Sequence, residues 1–400
     1  MKIKRVLAVV MTVCMLIGLC CGASVSAVTY KNLGLDVVNL SETSIEASLQ
    51  RLGNTTRLAN VMKRAAKGEE ITIAFIGGSI TFGSGSGGSN QERFSELALG
   101  WFQEKFPKAK VNLINAGYPA TGSTVGLFRS EEEIFQYEPD LLVVEFAVNE
   151  GSGLIPDQSS EALIRHVMRQ DNEAAAMFLT MCKSGGNHWH DANGKVQIAG
   201  YYDLPIVNYY MGAKKAEEMG EINMLDFDGD GTHINTLGHA AVGLYLINYF
   251  EKVYADYQSA PDHADPLPAP LNGDPYNHVL NVNNKVYQPK SLGSFKIDDE
   301  AGTWNAFKHG WSVHDGGKEP IVFEVEANRV WVAIQRTPSN DGKVLVKVNG
   351  VPTTLMSSRA DYDQIGYEMV YDGETTKKLT IEISVEQGVH FELIGLWIGY

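Results

Sequence analysis

The sequence has 400 residues, of which 44 % are hydrophobic and 20 % charged, so it is long enough for two or three domains with buried cores. Its net charge of -15 argues against binding to the polyanionic backbone of a nucleic acid or to an anionic membrane surface. Neutral sugars are compatible with this charge.

The N-terminal segment has the pattern of a secretory signal peptide. Three basic residues within residues 2–5 precede an apolar run over residues 6–19, and small residues at 25–27 offer a cleavage site, which predicts a signal over residues 1–27. The apolar run is short for the ~20 residues of a spanning helix, and a membrane anchor is the alternative. Beyond residue 27 only Cys182 remains, so an intrachain disulfide is excluded. We expect a protein secreted by a bacterium or held at its cell surface.

Helix and strand patterns alternate through the first two thirds of the chain. The first helix pattern ends near Gly68, and the β-branched run at residues 71–76 then predicts a buried strand. Further strand patterns occupy residues 111–114, 141–148, 174–181 and 222–225. Further helix patterns occupy residues 94–102, 123–136, 158–170, 207–219 and 236–254. This alternation predicts a parallel sheet between two layers of helices, with ligands at the carboxyl ends of its strands.

The pattern changes after residue 255. Five prolines within residues 256–275 are typical of a semi-rigid linker. Helical periodicity then stops, and short strand patterns occupy residues 320–326, 329–335, 344–349, 378–384 and 389–398. We therefore predict an α/β domain over residues 28–255 and an all-β sandwich or jelly-roll domain over residues 276–400.

The segment after the first strand contains a serine flanked by glycines. Ser79 follows Gly77 and Gly78 directly, at a turn between a predicted strand and a helix. Such a turn exposes the hydroxyl at the edge of the sheet, and the glycines allow close approach of backbone and substrate. A tight turn that happens to contain serine is the alternative.

A second segment supplies the base that a serine nucleophile needs. His233 lies just before the last helix of the α/β domain, and Asp230 precedes it by three residues. A carboxylate at this spacing can meet the imidazole, hold its tautomer and stabilise its charged form. A polar loop with a capping aspartate is the alternative.

Hydrogen-bond donors for a developing oxyanion occur after the next two strands. Gly117 follows the second strand and offers a backbone N–H, and Asn149 follows the third and offers a side-chain amide. Together with the N–H of Ser79, they predict an oxyanion hole of three donors. Each position taken singly is also compatible with an ordinary turn residue.

The order of these residues resembles the SGNH, or GDSL-type, hydrolase superfamily. The matching positions are Ser79, Gly117, Asn149 and His233, with Asp230 as the third triad member. The resemblance covers residues 71–255 and implies a flavodoxin-like three-layer fold and hydrolysis through an acyl-enzyme, without a metal or organic cofactor. The same resemblance implies a structural role for the second histidine of the last block, His239.

Two departures from the superfamily pattern bear on the substrate. Gly78 stands where many members carry aspartate, and Glu150 stands where aspartate is common. The glycine form resembles bacterial members that deacetylate polysaccharides. Glu150 and Trp189 are weaker candidates for contact with the sugar, Trp189 as a stacking platform.

Two other patterns imitate metal sites. Asp226, Asp228 and Asp230 resemble the start of a calcium loop, but position twelve is Leu237, which cannot coordinate a hard cation. The two histidines within residues 188–190 lie near Cys182, yet a fourth ligand for a closed zinc site is not evident. We predict no metal at either place.

The sequence thus predicts a secreted serine esterase that removes small acyl groups, with acetyl the one expected, from an acetylated glycan of the hemicellulose type. A lipase, lysophospholipase or thioesterase on the same triad is one alternative, and a non-catalytic glycan-binding protein is another. The β domain resembles accessory carbohydrate-binding modules, with Trp304 and Trp311 in loop-like sequence. The sugar, the acetylated position and the oligomeric state are left open.

Overall fold

A computed structural model describes residues 38–87, 93–183, 192–302, 307–314, 316–340, 342–387 and 390–400. The predicted signal over residues 1–27, the 188–190 motif with Trp189, and Trp304 lie outside these described residues. Among the described residues, none of the helices combines the length and apolar character that crossing a bilayer requires.

The first half of the chain builds one six-stranded sheet. Its strands are β1 (Leu49–Arg51), β2 (Ile71–Gly77), β3 (Val111–Gly117), β4 (Leu141–Glu145), β5 (Ala175–Thr180) and β6 (Ile206–Asn208). They lie in the order β1-β6-β5-β4-β2-β3, and all neighbours pair in parallel except β1, which pairs with β6 antiparallel. Strands β4 and β5 are buried throughout, as expected for a sheet covered on both faces.

Nine helices of the described residues connect and cover these strands. They are α1 (Glu42–Ala47), α2 (Thr56–Lys67), α3 (Ser79–Phe82), α4 (Phe94–Lys105), α5 (Ser123–Glu133), α6 (Leu154–Met168), α7 (Ala192–Tyr202), α8 (Tyr209–Glu218) and α9 (Thr236–Tyr254). One apolar core packs α2, α4 and α9 against one face of the sheet. A second core packs α5, α6 and α7 against the opposite face, so the predicted three-layer fold is confirmed.

The sequence prediction is wrong for two segments of this domain. The run at 222–225, predicted as a strand, enters a 3-10 helix over Met224–Phe227, because the side chains of Asn223 and Asp226 form a reciprocal cap there. The sixth strand is instead β6, which overlaps the start of the helix predicted over residues 207–219. Strand β6 has only three residues, too few to show a period of two, and the side chain of Asn208 then caps α8.

The second half of the chain forms an antiparallel sheet of eight strands. They are β7 (Val279–Val282), β8 (Lys296–Asp298), β9 (Gly310–Val313), β10 (Ile321–Arg336), β11 (Lys343–Val348), β12 (Val351–Ser357), β13 (Gln364–Gln387) and β14 (Phe391–Gly399). The order is β12-β11-β13-β10-β14-β9-β8, with β7 also paired to β14. Register shifts between Ala327 and Arg329 and between Val330 and Trp331 interrupt the pairing of β10 with β13.

The two faces of β10 pack against different parts of the protein. Val330, Val332 and Ile334 point into the core of the β domain itself. The alternate residues Trp331 and Ala333 belong instead to the core that contains α5 and α6. Because side chains alternate along a strand, one strand contributes to both cores.

Aromatic side chains join the two domains. Trp397 of β14 stacks on Phe128 of α5 with ring centroids 5.2 Å apart, and both rings are buried. Phe307 lies 5.7 Å from Trp397 and 6.2 Å from Tyr118, which follows β3 directly. The β domain therefore packs closely against the segment that leaves the carboxyl end of β3.

Candidate active site

The serine turn stands at the carboxyl end of β2, which lies between β4 and β3 in the sheet. Ser79 is the first residue of the four-residue helix α3, and only 7 % of its surface is exposed. A Cβ atom at Gly77 would lie 2.1 Å from Thr81 Oγ1, so only glycine fits between the strand and this helix. The predicted strand-to-helix turn is present and presents the serine at the edge of the sheet.

The structure brings Ser79, His233 and Asp230 together in a hydrogen-bonded chain. Ser79 Oγ lies 2.8 Å from His233 Nε2. On the other side of the ring, His233 Nδ1 lies 2.7 Å from Asp230 Oδ2. Because an ionised carboxylate only accepts hydrogen bonds, Nδ1 donates to it, which leaves Nε2 free to accept the serine proton.

The charge of Asp230 is stabilised by the backbone of its own turn. Asp230 Oδ1 accepts hydrogen bonds from the N–H groups of His233 at 2.8 Å and Thr232 at 3.1 Å. The His233 backbone and side chain are the largest causes of a pKa of about 2 for Asp230, below its ordinary value. The carboxylate therefore stays ionised at every pH at which an imidazole can act as a base.

The loop that carries His233 is held from two sides. Asn235 caps α9 by accepting from Gly238 N–H at 3.1 Å, and its Nδ2 donates to the Asp226 and Asp228 carbonyls at 2.8 and 3.0 Å. Gly85, with φ +91°, packs against the other side, where a Cβ atom would lie 3.2 Å from His233 Cβ. These contacts fix the imidazole toward the serine.

His239 lies in the interior rather than at the site. Its ring stacks on Phe94 with centroids 5.4 Å apart, and burial lowers its pKa to about 4. Its Nε2 lies 3.4 Å from the Ser84 carbonyl oxygen. This neutral ring therefore packs between α4 and the loop after the serine turn.

Two of the three expected oxyanion donors lie beside the serine without a competing partner among the described residues. The N–H of Ser79 begins α3, so it has no acceptor within that helix. Asn149 Nδ2 is close to Gly78, since a Cβ atom built there would lie 3.4 Å from it. Both donors line one small cleft together with Thr121.

The third expected donor, Gly117, is already engaged. Its N–H donates to Asn115 Oδ1 at 3.0 Å, which the sequence pattern does not reveal. The glycine has a packing role instead, because a Cβ atom at this position would lie 2.1 Å from Phe82 N. In this structure Gly117 allows α3 to pack on β3, and its N–H is not free to meet an oxyanion.

Asn115 and Arg129 support the turn from below, and neither was singled out from the sequence. Asn115 Nδ2 donates to the Thr81 carbonyl and to Ser95 Oγ, each at 2.8 Å. Arg129 Nη2 donates to the carbonyls of Ala116 at 2.8 Å and Gly77 at 3.3 Å. A buried guanidinium therefore ties together the carboxyl ends of β2 and β3.

A buried carboxylate also lies under the serine turn. Glu145 Oε2 accepts a hydrogen bond from Thr81 Oγ1 at 2.8 Å. Burial is the main cause that raises its pKa to about 7. One signal could have found this residue from sequence, namely a charged side chain that ends the otherwise apolar run of β4.

Glu150 lies in the interior, and this placement does not support the expected contact with substrate. Its carboxylate oxygens both lie 3.1 Å from the N–H of Ser123, and Oε2 lies 3.3 Å from Lys195 Nζ. Burial raises the pKa of Glu150, and the Lys195 charge opposes that shift. The Glu150 charge also reaches Tyr367 of β13. Burial is the main cause that raises the pKa of the Tyr367 hydroxyl to about 12, and the Glu150 charge adds to that shift. Glu150 therefore supports the loop that carries Asn149.

The arrangement is suited to nucleophilic attack on an ester. An imidazole 2.8 Å from a serine hydroxyl can accept its proton, and the Ser79 N–H and the Asn149 amide can stabilise the negative charge that develops. Among the described residues, no group of three or more histidine, cysteine, aspartate or glutamate side chains is arranged to hold a metal ion. Cys182 is buried, and burial raises the pKa of its thiol to about 12.

Fold and site together define a two-domain carboxylic ester hydrolase. The solved structure of a two-domain esterase active on acetylated mannans is similar to this chain at 25 % sequence identity, with a TM-score of 0.81 over 89 % of this chain and 98 % of that one. The structure of such an esterase co-crystallized with mannopentaose gives a TM-score of 0.79, also at 25 % identity, over 89 % of this chain and 97 % of that one. The resemblance to esterases that deacetylate polysaccharides is thereby confirmed. No protein-family model matches the chain, and no curated protein is significantly similar to it.

Proposed function

We propose that this chain is a secreted serine esterase that removes O-acetyl groups from a polysaccharide or oligosaccharide of the hemicellulose type. The observation that carries the proposal is the chain of contacts from Ser79 Oγ through His233 to Asp230, with distances of 2.8 and 2.7 Å. The similarity to a two-domain esterase active on acetylated mannans supports the choice of an acetylated glycan, and of mannan first.

In the proposed reaction, Ser79 Oγ attacks the acetyl carbonyl carbon while His233 Nε2 takes the hydroxyl proton. The carbonyl oxygen becomes negative and receives hydrogen bonds from the Ser79 N–H and the Asn149 amide. The tetrahedral intermediate then collapses. The bond between the acetyl carbonyl carbon and the sugar oxygen breaks, and His233 gives its proton to the departing sugar oxygen. Water then attacks the acetyl-serine with His233 again as base, releasing acetate and restoring Ser79.

The first experiment measures acetate release from acetylated mannan, xylan and pectin by the wild type and the Ser79→Ala variant. We expect release from at least one of these glycans by the wild type and none by the variant. Labelling of the wild type by an organophosphonate, absent in Ser79→Ala, would identify the nucleophile. Failure of the wild type to release acetate and to react with the phosphonate would contradict the proposal and favour a non-catalytic glycan-binding protein.

A second experiment separates an acetylesterase from a lipase or thioesterase. The rates on acetyl and octanoyl 4-nitrophenyl esters are compared at equal concentration. The sequence after Ser79 is rich in glycine and polar residues rather than in the apolar residues that a long acyl chain requires, so we expect faster turnover of the acetyl ester. Faster octanoyl turnover would favour the lipase alternative.

A further inference from the structure

Glu145 is a buried carboxylate for which the proposed reaction has no role. It is the last residue of β4 and is paired in register with Gly77 of β2, in the interior of the sheet. Only 2 % of its surface is exposed, and the other residues of β4 are all apolar. Burying a carboxylate costs several kcal/mol unless donors compensate it, so its presence calls for specific partners.

Those partners come from the two loops that flank the reaction site. Glu145 Oε2 accepts from Thr81 Oγ1 at 2.8 Å and from Gly78 N–H at 3.4 Å. These residues stand on either side of Ser79 in the chain. Glu145 itself ends the strand that continues into Asn149, and the N–H of Ala147, two residues before Asn149, faces the same carboxylate and lowers its pKa. One side chain therefore joins the serine turn to the segment that leads into Asn149.

We propose that Glu145 is a positioning residue that holds the Ser79 turn and the Asn149 segment in one fixed relation. The inference rests on the proposed function, since it assigns these two loops to the nucleophile and to an oxyanion donor. Donors act on an oxyanion only within about 2.7–3.1 Å, so a small relative shift of the loops weakens the transition state more than the bound substrate. Loss of the Glu145 contacts should therefore lower kcat and leave KM nearly unchanged.

Thr81 offers a test that leaves the carboxylate in place. Thr81 is fully buried, and its hydroxyl is the donor nearest to Glu145. Thr81→Val removes that donor at nearly constant volume, whereas Thr81→Ser keeps the hydroxyl. A role in packing alone predicts that the serine variant is at least as impaired as valine, and a positioning role predicts that serine restores activity.

Glu161 provides a matched control for the loss of a buried carboxylate. It is 1 % exposed and accepts hydrogen bonds from the Tyr202 hydroxyl and from the N–H groups of Leu271 at 2.6 Å and Asn272 at 2.9 Å. None of these partners belongs to the serine turn or to the Asn149 segment. Glu161→Gln therefore changes a comparable network elsewhere in the same domain.

The experiment measures kcat and KM on 4-nitrophenyl acetate for the full-length wild type and five variants. They are Glu145→Gln, Thr81→Val, Thr81→Ser, the double variant that combines Glu145→Gln with Thr81→Val, and the control Glu161→Gln. We expect about a tenfold or greater loss of kcat for Glu145→Gln and Thr81→Val, with KM within about twofold of wild type. Thr81→Ser should recover to within about threefold of wild type. The double variant should be little worse than either single variant, because both break the same contact.

Three results would overturn the inference in an active wild type: Glu145→Gln with kcat within twofold of wild type, Thr81→Ser as slow as Thr81→Val, or an equal loss of kcat in Glu161→Gln. If Glu145→Gln does not fold, the two Thr81 variants decide the matter alone. An inactive wild type that also resists the phosphonate contradicts the proposed function itself, so the two failures are distinguishable.

Discussion

Ser79 Oγ and His233 Nε2 lie 2.8 Å apart, although 154 positions separate the two residues in the chain. The contact closes because Ser79 begins a helix at the carboxyl end of β2, while Asn235 fixes the loop before α9 at the same edge of the sheet. Ser79 is held by the contacts of its turn with Glu145 and Asn115, and His233 by the cap at Asn235, so the pair is preorganised before any substrate arrives.

Asp230→Asn should reduce kcat on 4-nitrophenyl acetate by about 10³-fold to 10⁴-fold with little change in KM. An amide can donate to Nδ1 and so favours the wrong imidazole tautomer. Asp226→Asn is the control, because that carboxylate only caps the neighbouring 3-10 helix. A loss below tenfold in Asp230→Asn would contradict the assigned role.

The acid limb of the pH profile should not reflect Asp230. Its pKa of about 2 keeps the carboxylate charged above pH 3, and the stability that depends on this charge is present above the ordinary value of 3.8 and is lost only as pH falls toward 2. The measurement is kcat/KM for 4-nitrophenyl acetate from pH 4 upward. We expect no ionisation on the acid limb below pH 5, and one found there would contradict this assignment.

Asn149→Ala should lower kcat by about 10²-fold to 10³-fold with a small effect on KM, since an oxyanion donor acts chiefly in the transition state. Asn248→Ala on the exposed side of α9 is a suitable control. If Asn149→Ala and the wild type react with the phosphonate at the same rate and hydrolyse the ester at the same rate, Asn149 is not an oxyanion donor.

The difference in the free energy of unfolding between wild type and Glu145→Gln should depend on pH. Burial raises the pKa of Glu145 from 4.5 to about 7, although the hydrogen bond from Thr81 and the charge of Lys195 both oppose that shift. A group with a raised pKa contributes stability that is fully present below pH 4.5 and is lost as pH rises through 7, by about 3 kcal/mol in total. Glutamine does not ionise, so urea unfolding at pH 5 and pH 8.5 should show the wild type losing stability relative to the variant. A difference that is independent of pH would contradict this prediction.

Trp397→Ala should destabilise the whole chain by about 3–5 kcal/mol, because it opens a cavity in the core that joins the two domains. The measurement is urea unfolding followed by far-UV and near-UV circular dichroism. We expect one shared transition in the wild type and a lower midpoint in the variant. Leu355→Ala is the control, since Leu355 is 58 % exposed and should change stability by less than about 0.5 kcal/mol. Two independent transitions in the wild type would contradict a shared core.

Local patterns in the sequence were sufficient for the layered α/β fold, the all-β second half and the resemblance to esterases. The strand over residues 71–76 and the glycine turn before Ser79 are formed by residues that are neighbours in the chain, so composition and spacing predict both. The exceptions were short elements. Strand β6 has three residues, and its position depends on pairing with β5 and β1 rather than on its own pattern. The catalytic roles of the site residues stay predictions until the variants are measured.

Only the tertiary structure decided which polar groups meet. Gly117 N–H is taken by Asn115, Glu150 is paired with Lys195, and Glu145 joins two loops from beneath. Spacing does not reveal these contacts: Glu145 and Glu150 pair with side chains from distant elements, and the bond within β3 depends on the direction in which the Asn115 side chain points. The sequence by itself determined where chemistry-bearing residues stand along the chain, whereas folding determined which of them are free to act and which are used to hold the others in place.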